Sequence, residues 1–185
     1  ISDLLLYPGK KFDFNGKIYE YPDTKIVYWA GGNPFHHHQD LNRLISAWEK
    51  PDTIISNEWC WNTLAKRSDI VLPCTTPLER SDIMMTPRDP YVVSMSKLVE
   101  PYGKAKNDFE IFAGIAKKMN LEEKFTEGRN QEQWQKWIYT QSFERAAAAD
   151  IEMPSYEKFR KDEWFKIQDS PKPTLMLEDF RKNPI

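Results

Sequence analysis

Lys25-Ile-Val-Tyr-Trp-Ala-Gly-Gly-Asn-Pro-Phe-His-His-His-Gln-Asp-Leu-Asn-Arg-Leu-Ile-Ser-Ala-Trp48 decides the fold. Its first six residues are a β-rich apolar string, cut off by Gly31-Gly32-Asn33-Pro34, so they read as a buried strand entering a glycine turn. Leu41, Leu44, Ile45 and Trp48 then recur at i, i+3, i+4 and i+7, the stripe of an amphipathic helix. Pro51 ends it, because the residue before proline is pushed out of helical geometry. Thr53–Ser56 is a second strand, a helix is predicted through Leu64 to Arg67, and Asp69–Pro73 is a third strand. Strands alternating with helices imply right-handed crossovers and a parallel sheet. The expected class is therefore α/β: a mostly parallel sheet with helices on both faces, plus a helical C-terminal extension.

Outward from that core, Asn15-Gly16 between Phe12, Phe14, Ile18 and Tyr19 reads as a hairpin inside a loop-like lead-in, residues 1–24. Residues 74–91, rich in Pro, Thr, Arg and Asp, read as a long functional loop, and Tyr91–Val99 as a further strand. Asn107 with Glu110 three residues on is a capping box, opening a helix with a stripe of Phe109, Phe112, Ala113, Ala116 and Met119. Beyond Glu122 the chain is charged, with helices expected near 130–149 and 154–167, Pro154 in the first turn of the latter. The expected organisation is an α/β core over 1–121, a helical extension over 122–167 and an irregular tail over 168–185.

The 185 residues carry a net charge of −2 with interspersed signs, which argues against a dedicated nucleic-acid binder. No stretch approaches the roughly 20 apolar residues of a membrane span, and no membrane insertion is expected. Two cysteines make neither a disulfide framework nor a zinc pattern. Thirteen prolines and seven tryptophans are high for this length, fitting a surface of turns and pockets, although aromatics are more often core. Ile1 opens the chain in mid-element, so an internal piece of a longer protein, cut at Ile1, is expected.

The strand–turn–helix junction is where chemistry is expected. Backbone N–H groups at a helix start favour anions, and glycines let a phosphate approach where no Cβ intervenes. The third glycine of the dinucleotide fingerprint is absent, and a turn without ligand stays open as the bland alternative. His36-His37-His38 invites a metal, but adjacent residues point in different directions and helical metal pairs sit at i and i+4. No metal ligand is expected there. Glu58 follows the second strand at the position from which a carboxylate reaches ribose or a base edge, with an exposed loop acid as the alternative. Cys60 and Cys74 lack a neighbouring base and read as small packing residues. Arg80 and Asp82 lie past a strand end in a loop that could equally be salt-linked, and Asp108 suits a helix first turn on dipole grounds alone. Trp29 and Trp48 read as core, Trp59 and Trp61 as either core or the wall of a planar ring, and Trp134, Trp137 and Trp164 as docking residues of the tail.

The run Ile26–Arg43 resembles the molybdopterin oxidoreductases of the dimethyl-sulfoxide reductase family, closest to its trimethylamine-N-oxide and biotin-sulfoxide reductase branch. The resemblance continues through Lys50–Thr53, Ser68–Pro73, Thr75–Arg80 and Asn107–Phe112, thins after residue 119, and returns weakly at Met153–Phe159. It implies the family's third domain, a Rossmann-like α/β unit holding one half of a molybdenum bis(molybdopterin guanine dinucleotide) cofactor. It further implies cofactor contacts at Gly31, Gly32, Asn33, Pro34, Phe35, His36, His37, Gln39, Glu58, Arg80, Asp82 and Asp108. Glu58 stands where relatives often carry Asp. The serine that ligates molybdenum in this branch has no counterpart here, so no catalytic residue is expected and the isolated fragment should be inactive. The parent would be a bacterial oxidoreductase transferring an oxygen atom from a small S-oxide or N-oxide, periplasmic or alternatively cytoplasmic. Its partners would be its own remaining domains, with a c-type cytochrome as an allowed electron donor. A stand-alone nucleotide-binding module without redox activity, and a small metalloenzyme using the histidines, are the competing readings.

Overall fold

A computed structural model describes residues 1–86, 89–168 and 175–184. In chain order the first elements are α1 (Ser2–Leu6), β1 (Lys11–Phe14), β2 (Lys17–Glu20), β3 (Ile26–Ala30), α2 (Pro34–His37), α3 (Leu41–Trp48), β4 (Thr53–Glu58) and β5 (Ile70–Pro73). There follow β6 (Asp82–Thr86), β7 (Asp89–Met95), α4 (Asp108–Lys118), α5 (Glu122–Thr126), α6 (Gln131–Ala148), α7 (Tyr156–Asp162), β8 (Trp164–Lys166) and α8 (Glu178–Lys182). Two compact units emerge: residues 1–80 with 97–128, and residues 81–96 with 129–185.

The first unit is built on a parallel sheet in the order β3-β4-β5, with Tyr28 opposite Ile55 and Ser56 opposite Val71. Four of the six residues of the central strand β4 are buried and the other two half-buried, as suits a strand paired on both sides and covered. Leu44, Ala47 and Trp48 of α3 close over it with Leu5, Phe35, Ile54 and Leu64. The predicted stripe forms, although Leu41 at its start is exposed. Asp40 caps α3, its carboxylate accepting from Arg43 N at 3.3 Å. The Asn15-Gly16 hairpin is present, both residues at positive φ (52° and 74°), as a tight twisted turn requires. The expected helix after β4 is only a 3₁₀ turn, Ala65–Arg67. Asn107 and Glu110 make the capping box of α4. Its deepest residues are Ile111 and Ala116, while Met119, expected inside, is exposed.

The second unit is an antiparallel sheet in the order β6-β7-β8, with helices α6 and α7. Most of the strand expected near 91–99 is β7, and part of the loop expected at 74–91 is β6. The helix expected over 154–167 stops at Asp162, where Glu163 takes φ 66° and the chain turns into β8. Pro154 stays outside α7, whose cap is Ser155. Val92, Tyr139 and Phe159 are the core here, and Tyr139 gives its hydroxyl proton to Pro154 O at 2.9 Å. Burial pushes that phenol up to about 12. Trp137 and Trp164 are exposed rather than docked. Of the expected tail 168–185, residues 169–174 and 185 lie outside the described residues, and α8 occupies part of the remainder.

Candidate functional site

All three parallel strands of the first unit end at one edge, and a cleft of about 460 Å³ lies there. The strand C-terminal edge of a parallel sheet is where side chains and turns converge without blocking one another. Four chain segments reach it. The β3–α2 turn brings Gly31, Gly32, Asn33, His36 and His37, and the end of β4 brings Asn57, Glu58, Trp59, Cys60 and Asn62. The exit of β5 brings Cys74, Thr75, Thr76, Pro77 and Arg80. Asp108 arrives because Lys106 pairs with the β5 exit: Lys106 N donates to Pro73 O and Thr75 N to Lys106 O, both at 3.1 Å.

Gly31 and Gly32 turn at φ 79° and 69°, a region that β-carbons disfavour. A Cβ on Gly31 would meet nothing within 4 Å, so the backbone lies open there. Asn33, 6% exposed, caps α2 by accepting from Phe35 N at 3.0 Å. Its amide Nδ2 has no partner among the described residues, and neither has Oγ1 of Thr75, which is 5% exposed. Two buried donors without acceptors on one cleft are costly, about 1–3 kcal/mol each, unless a ligand supplies the acceptor. These orphaned donors are the chemistry a phosphate-bearing group would satisfy.

The opposite chemistry lies beside them. Glu58 is only 7% exposed, and Asp108 accepts from Asn57 Nδ2 at 2.8 Å. Tyr28 donates its hydroxyl proton to Asn57 Oδ1, also at 2.8 Å. Arg80 donates to Thr75 O at 2.9 Å, tying its cation to the β5 exit. Burial, then the Asp108 and Glu58 charges, push the Cys74 thiol up to about 11 against the pull of Arg80. That thiol is neutral at ordinary pH and no nucleophile. The cleft thus offers hydrogen-bond donors and carboxylate acceptors together, a set suited to a ligand bearing both anionic and N–H groups.

Of the twelve residues named from sequence, Gly31, Gly32, Asn33, His36, His37, Glu58, Arg80 and Asp108 line this cleft. Pro34 and Phe35 are buried beneath it, Phe35 in the core with the Arg67 guanidinium over its ring. Gln39 is exposed on the link between α2 and α3, and Asp82 belongs to the second unit. Asn57, Thr75, Thr76, Asn62 and Cys74 were not anticipated as cleft residues. Thr75 and Asn57 had a signal, each being polar at the end of an apolar strand. Trp59 and Cys60 line the cleft and are exposed, 66% for Trp59, so neither is core. Among the described residues no three His, Cys, Asp or Glu side chains gather to hold a metal, and no helix is long and apolar enough to cross a membrane.

The sequence model of the molybdopterin oxidoreductase family matches residues 3–118. The chain is 43% identical over 191 residues to a trimethylamine-N-oxide reductase of Haemophilus influenzae, covering 100% of this chain and 23% of the relative. It is 43% identical over 160 residues to a biotin sulfoxide reductase of Cereibacter sphaeroides (86% and 22%). It is 40% identical over 189 residues to a dimethyl sulfoxide/trimethylamine N-oxide reductase of the same organism (100% and 23%). The chain therefore spans less than a quarter of the length of these relatives. Among solved structures, acetylene hydratase from Pelobacter acetylenicus matches 80% of the chain at a TM-score of 0.62 and 18% identity, a likeness of fold.

Proposed function

The chain belongs to the molybdopterin oxidoreductase family, and from that premise we propose that it is one part of a bacterial molybdenum-dependent S-oxide or N-oxide reductase, the part that binds one molybdopterin guanine dinucleotide. The observation that carries the proposal is the pair of buried donors without a partner among the described residues, Asn33 Nδ2 and Thr75 Oγ1, in residues lining the same cleft as Gly31 and Gly32. When bound, the molybdenum cofactor supplies the redox chemistry: oxide, two electrons and two protons give the reduced sulfide or amine and water. This chain's residues bind and orient. Gly31 and Gly32 admit phosphate to the backbone, while Asn33 and Thr75 donate to it. Arg80 offsets its charge, with His36 and His37 as further donors. Glu58 and Asp108 accept from the N–H and O–H groups of the nucleoside end.

Pro34 and Phe35 serve by fixing the turn from below. Gln39 and Asp82 are assigned to the cofactor by resemblance alone. No residue of the chain is assigned the redox step. The cofactor core is assigned to residues 1–121, with 122–167 as its extension. The remaining domains of the parent would complete the cage and the substrate funnel, in a periplasmic enzyme served by a c-type cytochrome.

The test is the paired release of molybdenum and guanosine monophosphate from the acid-treated full-length parent. Thr75→Val, which keeps shape and removes the hydroxyl, is expected to lower both together. Guanine nucleotide retained without molybdenum would favour a stand-alone nucleotide-binding module, and neither being present would refute the proposal.

A further inference from the structure

Asn57 is 3% exposed and has both ends of its amide engaged, Oδ1 by the Tyr28 hydroxyl and Nδ2 by Asp108 Oδ1. The Tyr28 ring is held from the other side by Phe112 of α4, their centroids 5.0 Å apart. Burial first, then the Asp108 charge, push the Tyr28 phenol above its ordinary value, so it keeps its proton and remains a donor. The carboxylate demands the NH₂ end of Asn57, which leaves the amide oxygen facing the phenol. Reversing the amide would set oxygen against carboxylate. Asn57 and Asp108 line the cleft, and the Asn57 amide takes one carboxylate oxygen of Asp108, Oδ1. Tyr28 itself does not reach the cleft lining.

We propose that Tyr28 is a positioning residue: through the Asn57 amide it fixes the Asp108 carboxylate as an oriented acceptor for an N–H or O–H donor of the bound nucleotide. This rests on the nucleotide-binding function proposed above and adds to it the remote residue that aims one of its contacts. An isolated carboxylate on a helix first turn can rotate about two bonds. One locked by an amide that is itself locked presents a single lone-pair direction, and less ordering entropy is lost when the ligand binds.

A double-mutant cycle in the holoenzyme tests it, reading the rate at which cofactor is lost, followed as guanosine monophosphate in acid-treated filtrates. Tyr28→Phe keeps the ring on Phe112 and removes only the hydroxyl. It is expected to speed loss by about three- to tenfold, the worth of one hydrogen bond. In the Asp108→Asn background the same change should have almost no further effect, because the group it aims is gone. Asn57→Ala should behave as Tyr28→Phe does, providing a second route if one variant folds poorly. Multiplying effects of Tyr28→Phe and Asp108→Asn would overturn the relay, since a residue acting only through packing adds independently. A Tyr28→Phe enzyme that loses cofactor at the wild-type rate would overturn it too. Wild-type enzyme that releases no guanosine monophosphate would instead refute nucleotide binding itself, and the relay with it.

Discussion

Asn33 does two things that can be separated by substitution. Its Oδ1 caps α2 by accepting from Phe35 N, and its Nδ2 is buried without a partner among the described residues, in a residue that lines the cleft. Asn33→Ala removes both. In the cofactor-free protein, losing the cap costs about 0.5–2 kcal/mol, while deleting an unpaired buried amide returns about 1–3 kcal/mol. The two terms oppose each other, and the cofactor-free stability should change by anything from a loss of about 1 kcal/mol to a gain of about 2.5 kcal/mol. In the loaded protein the amide's hydrogen bond to an anionic oxygen is worth about 1.5–3 kcal/mol, so affinity should fall roughly 10- to 150-fold. Asn33→Ser sharpens the contrast. Serine caps about as well as asparagine but has no amide to reach the ligand. The assay is a thermal melt of the cofactor-free form beside molybdenum and guanine-nucleotide content of the purified full-length variant. Asn33→Ser, which keeps the cap and deletes the unpaired amide, should melt at or above wild type yet hold far less cofactor. If Asn33→Ser retains the full complement, the amide is a structural group and the argument from orphaned donors is wrong.

Three further outcomes follow from single groups. Iodoacetamide at pH 8 should label the exposed Cys60 and leave Cys74 nearly untouched, because a thiol pushed up to about 11 is thiolate in only about one molecule per thousand at that pH; peptide mass spectrometry showing equal labelling would contradict this. Glu79 accepts from Thr76 N and Tyr102 N, both at 2.8 Å, and these bonds hold its carboxyl below the ordinary value of 4.5. A depressed carboxylate stabilises above its unfolded value and stops doing so as pH falls through its folded one. The tether between the β5 exit and Tyr102 should therefore hold at pH 5 and release in more acidic solution, read as lower exchange protection of the Thr76 and Tyr102 amides relative to their intrinsic rates at each pH. Leu64→Ala, at a fully buried core position, should cost about 2–5 kcal/mol in denaturant unfolding, and a loss under about 1 kcal/mol would mean the first unit's core is misplaced.

What the sequence made legible was local. The Gly31-Gly32-Asn33-Pro34 turn, the Asn15-Gly16 hairpin and the Asn107/Glu110 box are each written in residues that interact within a few positions, so backbone preference and capping chemistry identify them. The parallel sheet followed from short apolar strings alternating with helix signals, although only the central β4 is paired on two sides and buried. The antiparallel sheet was only half visible. Strand β6 lies in a Pro-, Thr- and Arg-rich segment, and β7 is paired on its far side by Trp164–Lys166, some seventy positions away. A contact of that range leaves no mark in local periodicity. In the same way β8 was absorbed into a predicted helix, because only the positive φ of Glu163 separates the two. Glu58 and Asp108 could be named as candidates singly, but that they share a cleft depends on Lys106 pairing with the β5 exit, which no spacing announces. Asn57, just past the expected strand Thr53–Ser56, was overlooked beside a more conspicuous acid, Glu58.

The central claim is that the strand-edge cleft of the first unit holds a phosphate-bearing dinucleotide on the Asn33 and Thr75 donors. A structure of the full-length holoenzyme measures this directly. The prediction is phosphate density against Gly31–Asn33, with an oxygen within hydrogen-bonding distance of Asn33 Nδ2 or Thr75 Oγ1 and the nucleoside end toward Glu58 and Asp108. Cofactor density elsewhere, with this cleft filled by the protein's own side chains, would contradict it.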